Sequence, residues 1–341
     1  MTERWKIAIV GAASLRGKEL NEALPESAFS EAKIGLLDEE SEAGRLEPSG
    51  DEPALIQPID RDSFEHVDFA FFAGVPEITR KHWQEALSAG ASVIDLSYAL
   101  DGEPGVVVWA PWLAEQPANA VTLATNAVIP AHPVSLALAL IMSRLEDAGS
   151  LRSASATVLE PASEYGRAAI DELHQQTVSL LNFQSLPKEV YDEQVAFNVV
   201  PSFGESKTVG QSERRIRQHY ALIRSTGMAD LAIQVVHVPV FHGVGLSIAL
   251  EFDDPITRDR VESVLACEHI ELVGEDFDPP NNLSSAGQNN VLARVRPEGA
   301  TDQPANRFWI WASFDNLRLS SLNAVACAME LRRLRPMGKV Q

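Results

Sequence analysis

The stretch V-T-L-A-T-N-A-V-I-P-A-H-P-V-S-L-A-L-A-L-I-M, residues 121–142, decides the fold class of this chain. It begins as a short apolar strand, is interrupted by Pro130 and Pro133, and continues as an apolar run that fits a buried helix. Free N–H groups and the helix dipole at such a junction favour an anionic ligand or a thiolate. The junction is therefore a candidate active centre, but it contains no cysteine.

Close to the N-terminus, the sequence predicts a strand that leads into a dinucleotide-type turn. Residues 5–10 predict a buried parallel strand, and G-A-A-S-L-R-G follows with Gly11, Ser14 and Gly17 at fingerprint spacing. Residues 18–24 then predict a helix whose N-terminus faces a pyrophosphate. Ser14 stands where the fingerprint has its middle glycine. A tight strand-to-helix turn that binds no ligand explains the pattern equally well, so both interpretations stay open.

The next predicted strand, residues 33–37, ends in the acids Asp38, Glu39 and Glu40. An acid at this point accepts hydrogen bonds from a ribose 2′-hydroxyl and repels a 2′-phosphate, which favours NAD over NADP. The alternative is a solvated acidic loop in an acidic protein.

Strands and helices alternate through the rest of the first 125 residues. Further strands are predicted at 67–73, 91–95, 105–109 and 121–125, and a helix is predicted at 78–89. Gly74 follows the first of these strands. This order predicts a Rossmann-type, doubly wound parallel sheet in an α/β domain.

The sequence pattern changes after residue 150. Alternating apolar segments predict strands at 154–159, 232–240, 245–252, 291–295 and 308–313, and helices are predicted at 165–182, 212–223 and 323–333. These elements indicate an α+β domain with a mixed or antiparallel sheet. We predict one domain from residues 1–127 with 315–341, and a second domain from residues 128–314.

Composition limits the possible partners and locations. The chain has 341 residues and a formal net charge of −20, which argues against binding to nucleic acid or to anionic membranes. Its two cysteines, Cys267 and Cys327, provide neither a disulfide framework nor a metal motif. The N-terminus does not resemble a secretory signal, and the longest apolar run is too short to cross a bilayer. A cytoplasmic location is the simplest expectation.

Five motifs are spread along the chain: A-G-A-S-V-I-D-L-S, S-E-Y-G-R-A-A-I-D-E-L, A-F-N-V-V-P, H-V-P-V-F-H-G and F-D-N-L-R-L-S-S-L-N-A-V. Together with the order of elements, these motifs resemble the aspartate-semialdehyde dehydrogenase family over nearly the whole chain. The resemblance implies an NADP-binding domain and a second domain for catalysis and homodimerisation. It also implies an oxidoreductase of amino-acid biosynthesis that reductively dephosphorylates an acyl phosphate through a cysteine thioester.

Matched to the family motifs, the chain lacks the chemistry that this reaction requires. Ile129 falls at the nucleophile, Val244 at the proton-transferring histidine and Glu160 at the glutamine. Asp101 falls at the phosphate-binding arginine and His237 at the substrate-binding arginine. The chain therefore resembles the cysteine-less, Usg-like branch of the family, and no catalytic residue is assigned.

The resemblance also supplies candidate binding residues. The predicted cofactor-binding residues are Gly11, Ser14, Leu15, Gly17, Asp38, Gly74 and Asn316. The predicted substrate-type pocket contains Asp101, Asn126, His132, Glu213 and His237. No metal site is predicted, because His237 and His242 would point to opposite faces of one strand. His132 has either a functional or a purely structural role.

Two functions follow from these observations. The first is a dimeric homologue without the cysteine-dependent activity, which binds a nucleotide at a weakened NAD or NADP site, or binds a metabolite or a protein. The second is an active NAD(P)-dependent oxidoreductase that transfers hydride directly to an aldehyde or oxo group.

Overall fold

The computed structural model describes residues 4–49, 52–60, 62–113, 121–202, 207–224, 229–300 and 303–334. The chain divides into two compact units. The first unit comprises Met1–Ala131 and Ser320–Gln341, and the second comprises His132–Leu319. The predicted functional division, with residues 1–127 and 315–341 for the nucleotide and 128–314 for dimerisation, stays a prediction.

The first unit is built on strands that alternate with helices. Its elements are β1 (Lys6–Val10), α1 (Leu15–Ala23), β2 (Lys33–Asp38), β3 (Leu46–Ser49), β4 (Glu52–Leu55), β5 (Gln57–Pro58), β6 (Phe69–Phe72), α2 (Pro76–Ser88), β7 (Ser92–Asp95), β8 (Val107–Trp109) and β9 (Ala127–Pro130). Seven of these strands form a parallel sheet in the order β5-β2-β1-β6-β7-β9-β8. The predicted Rossmann-type sheet is confirmed.

Apolar side chains cover both faces of this sheet. Along β1, Ile7 and Ile9 point into a core that includes Leu20 of α1, while Ala8 and Val10 point into a core that includes Ile78 of α2. Strands that are apolar on both faces need helices on both sides, which explains the continuous apolar runs in the sequence.

One predicted strand of this sheet was wrong. Thr122 to Thr125 form a turn, in which the Thr125 N–H donates to the Thr122 carbonyl at 3.0 Å and the Thr122 N–H donates to the Thr125 hydroxyl at 3.0 Å. The sixth long strand is instead β9, which pairs with β7 and β8. Threonine side chains that bond to nearby backbone compete with strand formation, and the sequence prediction ignored this effect.

The second unit contains a mixed sheet with helices. Its elements are α3 (Pro133–Leu145), β10 (Leu151–Glu160), a 3-10 turn (Ala162–Tyr165), α4 (Arg167–Leu181), β11 (Val200–Pro201), α5 (Lys207–Ile223), β12 (Leu231–His237), β13 (Val244–Ile256), α6 (Arg258–Leu265), β14 (Ile270–Leu272), β15 (Val291–Pro297) and β16 (Ala305–Phe314). A last helix, α7 (Asn316–Leu334), begins here, and its residues from Ser320 onward belong to the first unit.

The sheet of the second unit has the order β11-β12-β10-β13-β16-β15-β14. The β10–β12 and β14–β15 pairs are parallel and the other pairs are antiparallel, so the sheet is mixed. Buried and partly exposed residues alternate along β13, which places one face of the sheet in the core. Among the described residues, no helix has the length and apolar character needed to cross a bilayer.

Candidate functional site

The glycine-rich turn of the first unit is held by close contacts between backbone segments. Gly11 has a φ of 82°, and a Cβ atom there would lie 2.3 Å from the Cα of Gly74. A Cβ atom on Gly17 would lie 2.3 Å from the carbonyl oxygen of Gly11. Both positions therefore require glycine for packing alone. The structure brings together the predicted residues Gly11, Ser14, Leu15, Gly17 and Gly74 at one end of the parallel sheet.

Ser14 is the N-cap residue of α1. Its hydroxyl accepts the Gly17 N–H at 2.9 Å and donates to the carbonyl of Ala73 at 2.8 Å. These bonds satisfy one of the free N–H groups at the helix start and join the turn to the end of β6. Serine at the middle position of the fingerprint thus has a structural role here.

Asp38 holds the same turn from the end of β2. The side chain is buried, and its two oxygens accept the N–H groups of Ala13 and Glu39, each at 2.9 Å. Sequence reasoning missed this structural role. The ribose contact predicted for Asp38 stays a prediction.

A cavity of about 470 Å³ lies between the loop after β2 and helix α2. Its wall includes Glu39, Glu40, Glu77 and Lys81, so three carboxylates face one ammonium group. Arg45, in the same loop, is paired with Glu42. The electrostatic character of this cavity is acidic, which is unfavourable for a phosphate monoester.

In the second unit, His132 occupies the N-cap position of α3, directly before Pro133. Its Nδ1 accepts the Val134 N–H at 3.3 Å, so the ring proton is on Nε2, which donates to Oε1 of Glu164 at 3.1 Å. The backbone N–H of His132 donates to Nδ1 of His219 at 3.0 Å. Burial lowers the pKa of His132, and the nearby Glu164 carboxylate opposes this shift.

Glu164 connects His132 to the first residues of α7. The Nδ2 group of Asn316 donates to Oε2 of Glu164 at 3.1 Å, and the Ser163 hydroxyl donates to Oδ1 of Asn316 at 3.0 Å. All four side chains are buried. Asn316 therefore takes part in a network of the second unit, and the cofactor contact predicted for it stays a prediction.

A second buried cluster surrounds Glu160 at the end of β10. Its carboxyl group accepts hydrogen bonds from the hydroxyls of Ser212 and Tyr165. Burial, helped by the charge of Glu164, raises the pKa of Glu160 to about 8, although both hydroxyls oppose the shift. The group is therefore largely protonated at pH 7.

His237, at the end of β12, packs between two tyrosines. Its ring centroid lies 5.7 Å from that of Tyr165 and 4.9 Å from that of Tyr191. Within the described residues, neither ring nitrogen of His237 nor the Tyr191 hydroxyl makes a hydrogen bond of normal geometry. Burial lowers the pKa of His237 to about 4, and the backbone of Glu160 opposes this shift. A neutral imidazole thus stands where the resemblance implies a guanidinium.

The remaining predicted residues lie elsewhere. Ile129 is inside β9 with its side chain in the core, and Val244 begins β13 and is fully buried. In the first unit, Asp101 lies in the turn after β7 and Asn126 is exposed before β9. Glu213 accepts the Val235 N–H at 2.9 Å and pairs with Arg217 at 3.0 Å, so it ties α5 to β12.

Sequence reasoning missed Glu164, Tyr165 and Tyr191 as members of these clusters. A signal for two of them was present: the family turn S-G-A-G corresponds to Ser163–Gly166, where Glu164 and Tyr165 replace small residues.

Comparison with known proteins gives a consistent result for both units. Residues 6–121 match the family model described as semialdehyde dehydrogenase, NAD binding domain, and residues 142–319 match that described as semialdehyde dehydrogenase, dimerisation domain. A USG-1 protein homolog of Pseudomonas aeruginosa is 32% identical over 95% of this chain and 97% of its own length. An aspartate-semialdehyde dehydrogenase of Rickettsia bellii is 26% identical over 97% and 98%.

Solved structures show the same fold. A probable aspartate-semialdehyde dehydrogenase from Pseudomonas aeruginosa superposes with a TM-score of 0.81 and 30% identity, covering 98% of this chain and 99% of that one. Aspartate semialdehyde dehydrogenase II from Vibrio cholerae superposes with a TM-score of 0.82 at 24% identity, covering 98% and 100%.

Proposed function

The chain belongs to the semialdehyde dehydrogenase family, and from this membership we propose that it is a dimeric, nucleotide-binding member without the cysteine-dependent reaction. The observation that carries the proposal is the strand–helix junction, which contains the buried histidine His132 and no cysteine. His132 is hydrogen-bonded through both ring nitrogens and is 1% exposed. It cannot form a thioester.

The position of Pro130 supports a second match between the junction and the family motif A-N-P-N-C-S-T, beside the match that places Ile129 at the nucleophile. In that motif the nucleophile is two residues after the proline, so Pro130 of β9 would place His132 at the nucleophile position. Ile129 lies three residues earlier, within the strand. Either match leaves the nucleophile position without a thiol. Of the two cysteines, Cys327 is in the core of the first unit with its thiol pKa raised by burial, and Cys267 follows α6.

Two of the other reactive groups are also replaced by neutral ones. Val244 cannot transfer a proton, and His237 has a pKa of about 4, so it carries no charge to hold a substrate carboxylate at pH 7. The half-buried Tyr165 packs against His237 with the ring centroids 5.7 Å apart, and the Glu164 side chain is buried. These features support binding without covalent catalysis.

The proposed nucleotide is NAD rather than NADP, bound more weakly than at a glycine-complete fingerprint. The glutamates around the 470 Å³ cavity support this preference, since they repel a 2′-phosphate. Weak binding is supported by two side chains of the turn region, because the Ser14 hydroxyl and the Asp38 carboxylate already accept hydrogen bonds from N–H groups that a pyrophosphate would need. A cytoplasmic location stays a prediction.

The proposed homodimer uses the sheet face of the second unit that faces away from its core. Small uncharged residues lie opposite each other across β10 and β13, where Thr157 pairs with Ser247 and Leu159 pairs with Gly245. On β16, Trp309 is 41% exposed beside this surface. We call these residues, with Trp311, the sheet face. A second copy is the proposed occupant because every one of these strands lies within the matched dimerisation domain.

Two measurements test the proposed function. Calorimetric titration should show micromolar binding of NAD, about −8 kcal/mol, and weaker binding of NADP. After incubation with nucleotide, phosphate and aspartate semialdehyde, the intact mass should show no acyl adduct. Cys267→Ser and Cys327→Ser variants would locate any adduct that formed. A stoichiometric adduct with turnover would contradict the non-catalytic assignment, and failure to bind either nucleotide would direct the search to protein partners.

A further inference from the structure

We propose that the loop at residues 273–290, which we call the rim loop, clasps a second copy of this chain. The inference rests on the proposed homodimer and adds to it a second contact area beside the sheet face. In this contact Phe277 and Leu283 are the apolar anchors, and two aspartates of the loop pair with an arginine of the second copy. The whole loop lies within the matched dimerisation domain.

The rim loop is long and has a fixed conformation. It connects β14 to β15, and all its residues are described by the structure as turns, bends and irregular chain. Most loops of this kind are shorter than about 12–15 residues, and longer ones are usually functional or disordered. Here Oδ1 of Asn281 accepts the N–H groups of Leu283 and Ser284 at 2.9 and 3.0 Å, and Pro279 and Pro280 restrict the backbone. A preformed loop of this kind loses little conformational entropy on binding.

Two side chains of β16 fasten the rim loop to the sheet. The indole N–H of Trp311 donates to the Pro280 carbonyl at 2.6 Å, and the Ser313 hydroxyl lies 2.9 Å from that of Ser285. Trp311 and Ser313 alternate along β16 with residues of the core, so both point away from the core. Trp311 is itself part of the sheet face. The rim loop therefore borders the sheet face and is continuous with it.

The two anchors stand on this border and are open to solvent. Phe277 is 72% exposed and Leu283 is 81% exposed. Arg294, which pairs with Trp311 across β15 and β16, donates to the Phe277 carbonyl and so holds this residue beside the sheet face. Large apolar side chains held rigidly next to an interface are covered when a second copy packs on it. In a two-fold dimer each copy contributes the same two anchors.

The charges of the rim loop and of the sheet are complementary. Asp276 and Asp278 are exposed on the loop, and Arg296 is exposed on β15, directly across from Trp309 of the sheet face. Within the described part of the chain, none of these three charged groups forms an ion pair. A contact between the aspartates of one copy and Arg296 of the other uses all three charges and fixes the register of the two copies.

The first test measures the dissociation constant of the full-length dimer by sedimentation of fluorescently labelled protein. Phe277→Ser and Leu283→Ser should each raise this constant by about ten-fold or more, because each removes a covered apolar anchor. The matched controls, Phe183→Ser and Leu181→Ser, change exposed residues at the end of α4 and should stay within about two-fold of the parent. A dimeric parent whose constant is unchanged in both rim-loop variants would overturn this inference and leave the proposed dimer standing. A monomeric parent would refute both.

The second test distinguishes a contact between copies from a contact within one copy. Arg296→Glu and the Asp276→Arg, Asp278→Arg double variant should each raise the dissociation constant by about ten-fold, since each places like charges opposite each other. In an equimolar mixture, the heterodimer of these two proteins again has opposite charges at both contacts. Its dissociation constant should therefore lie within about three-fold of that of the parent. A mixture that associates no better than its components would contradict the pairing between copies. Melting temperatures of all variants separate a loss of association from a loss of folding.

Discussion

At the scale of single residues, Glu160 makes the stability of the second unit depend on pH. Its pKa is raised from 4.5 to about 8, mainly by burial. Between these pH values the folded state keeps a proton that the unfolded state has released, so stability falls as pH rises. Glu160→Gln removes this dependence and can still bond to both hydroxyls, because its amide oxygen accepts from one of them and its NH2 group donates to the oxygen of the other. We expect the free energy of unfolding of Glu160→Gln, minus that of the parent, to rise by about 1.4 kcal/mol for each pH unit in this range. By pH 8 the accumulated rise should reach a few kcal/mol.

Urea unfolding at a series of pH values between 6.5 and 8 isolates this effect. His237, whose pKa falls from 6.5 to about 4, lowers stability only as pH drops below 6.5. The exposed Glu31→Gln variant serves as the control and should follow the parent at each pH. Equal slopes for the parent and Glu160→Gln would show that Glu160 is ionised in the folded protein.

Residue identities could be predicted from the sequence more easily than their partners. The replacement of reactive groups at Glu160, His237 and Val244 was visible in the motifs. The pairing of His132 with Glu164 was not, since it joins residues 32 positions apart through the fold. The sequence also could not show that the Asp38 carboxylate accepts a hydrogen bond from the Ala13 N–H. Such contacts depend on loop geometry that local pattern does not encode.

At the scale of elements, helix α4 fixes the segment after it through two buried side chains. Glu172 accepts the N–H groups of Glu189, Val190 and Tyr191 at 2.8, 2.6 and 3.2 Å. Gln176 accepts the N–H groups of residues 195 and 196 at 2.8 and 3.2 Å. This segment carries Tyr191, which packs on His237. The helix thus determines one wall of the buried cluster.

Glu172→Ala should leave these N–H groups without an acceptor and destabilise the protein by about 2–4 kcal/mol. Hydrogen exchange should increase selectively in residues 187–196. The adjacent Asp171→Ala removes only an exposed pair with Arg167 and should cost less than about 0.5 kcal/mol. Uniform exchange across the second unit, or equal effects of the two variants, would contradict the clamping role of Glu172.

The type of an element could be predicted where its apolar pattern extends over many residues. Its position could not be predicted where side chains compete for the hydrogen bonds of the backbone. The strands β1, β2, β6 and β7 were predicted at nearly their observed positions because their runs are apolar on both faces. The strand after the Thr122–Thr125 turn was displaced by several residues. The β3–β4 hairpin was missed, since its short strands contain prolines.

At the scale of the whole molecule, the fold class was predictable because each part of the sequence has a characteristic order of elements. Continuous apolar runs predicted the parallel sheet, and alternating apolar segments predicted the mixed sheet. Both sheets are confirmed. The same fold carries different chemistry in different family members, so function depends on the side chains placed on it. The proposed dimer is the remaining level of organisation, and we expect its interface at the sheet face.

Trp309→Glu places a charge on the sheet face and should convert the proposed dimer to a monomer at micromolar concentration. A partly exposed tryptophan on a surface of small residues is a typical interface anchor, and its loss costs about 2 kcal/mol or more. Light scattering after gel filtration measures the mass. Phe183→Glu is the matched control, because Phe183 is fully exposed at the end of α4 and lies outside the sheet face. Dissociation by Phe183→Glu instead of Trp309→Glu would move the interface to that helix end, and a dimer that survives both changes would exclude both surfaces.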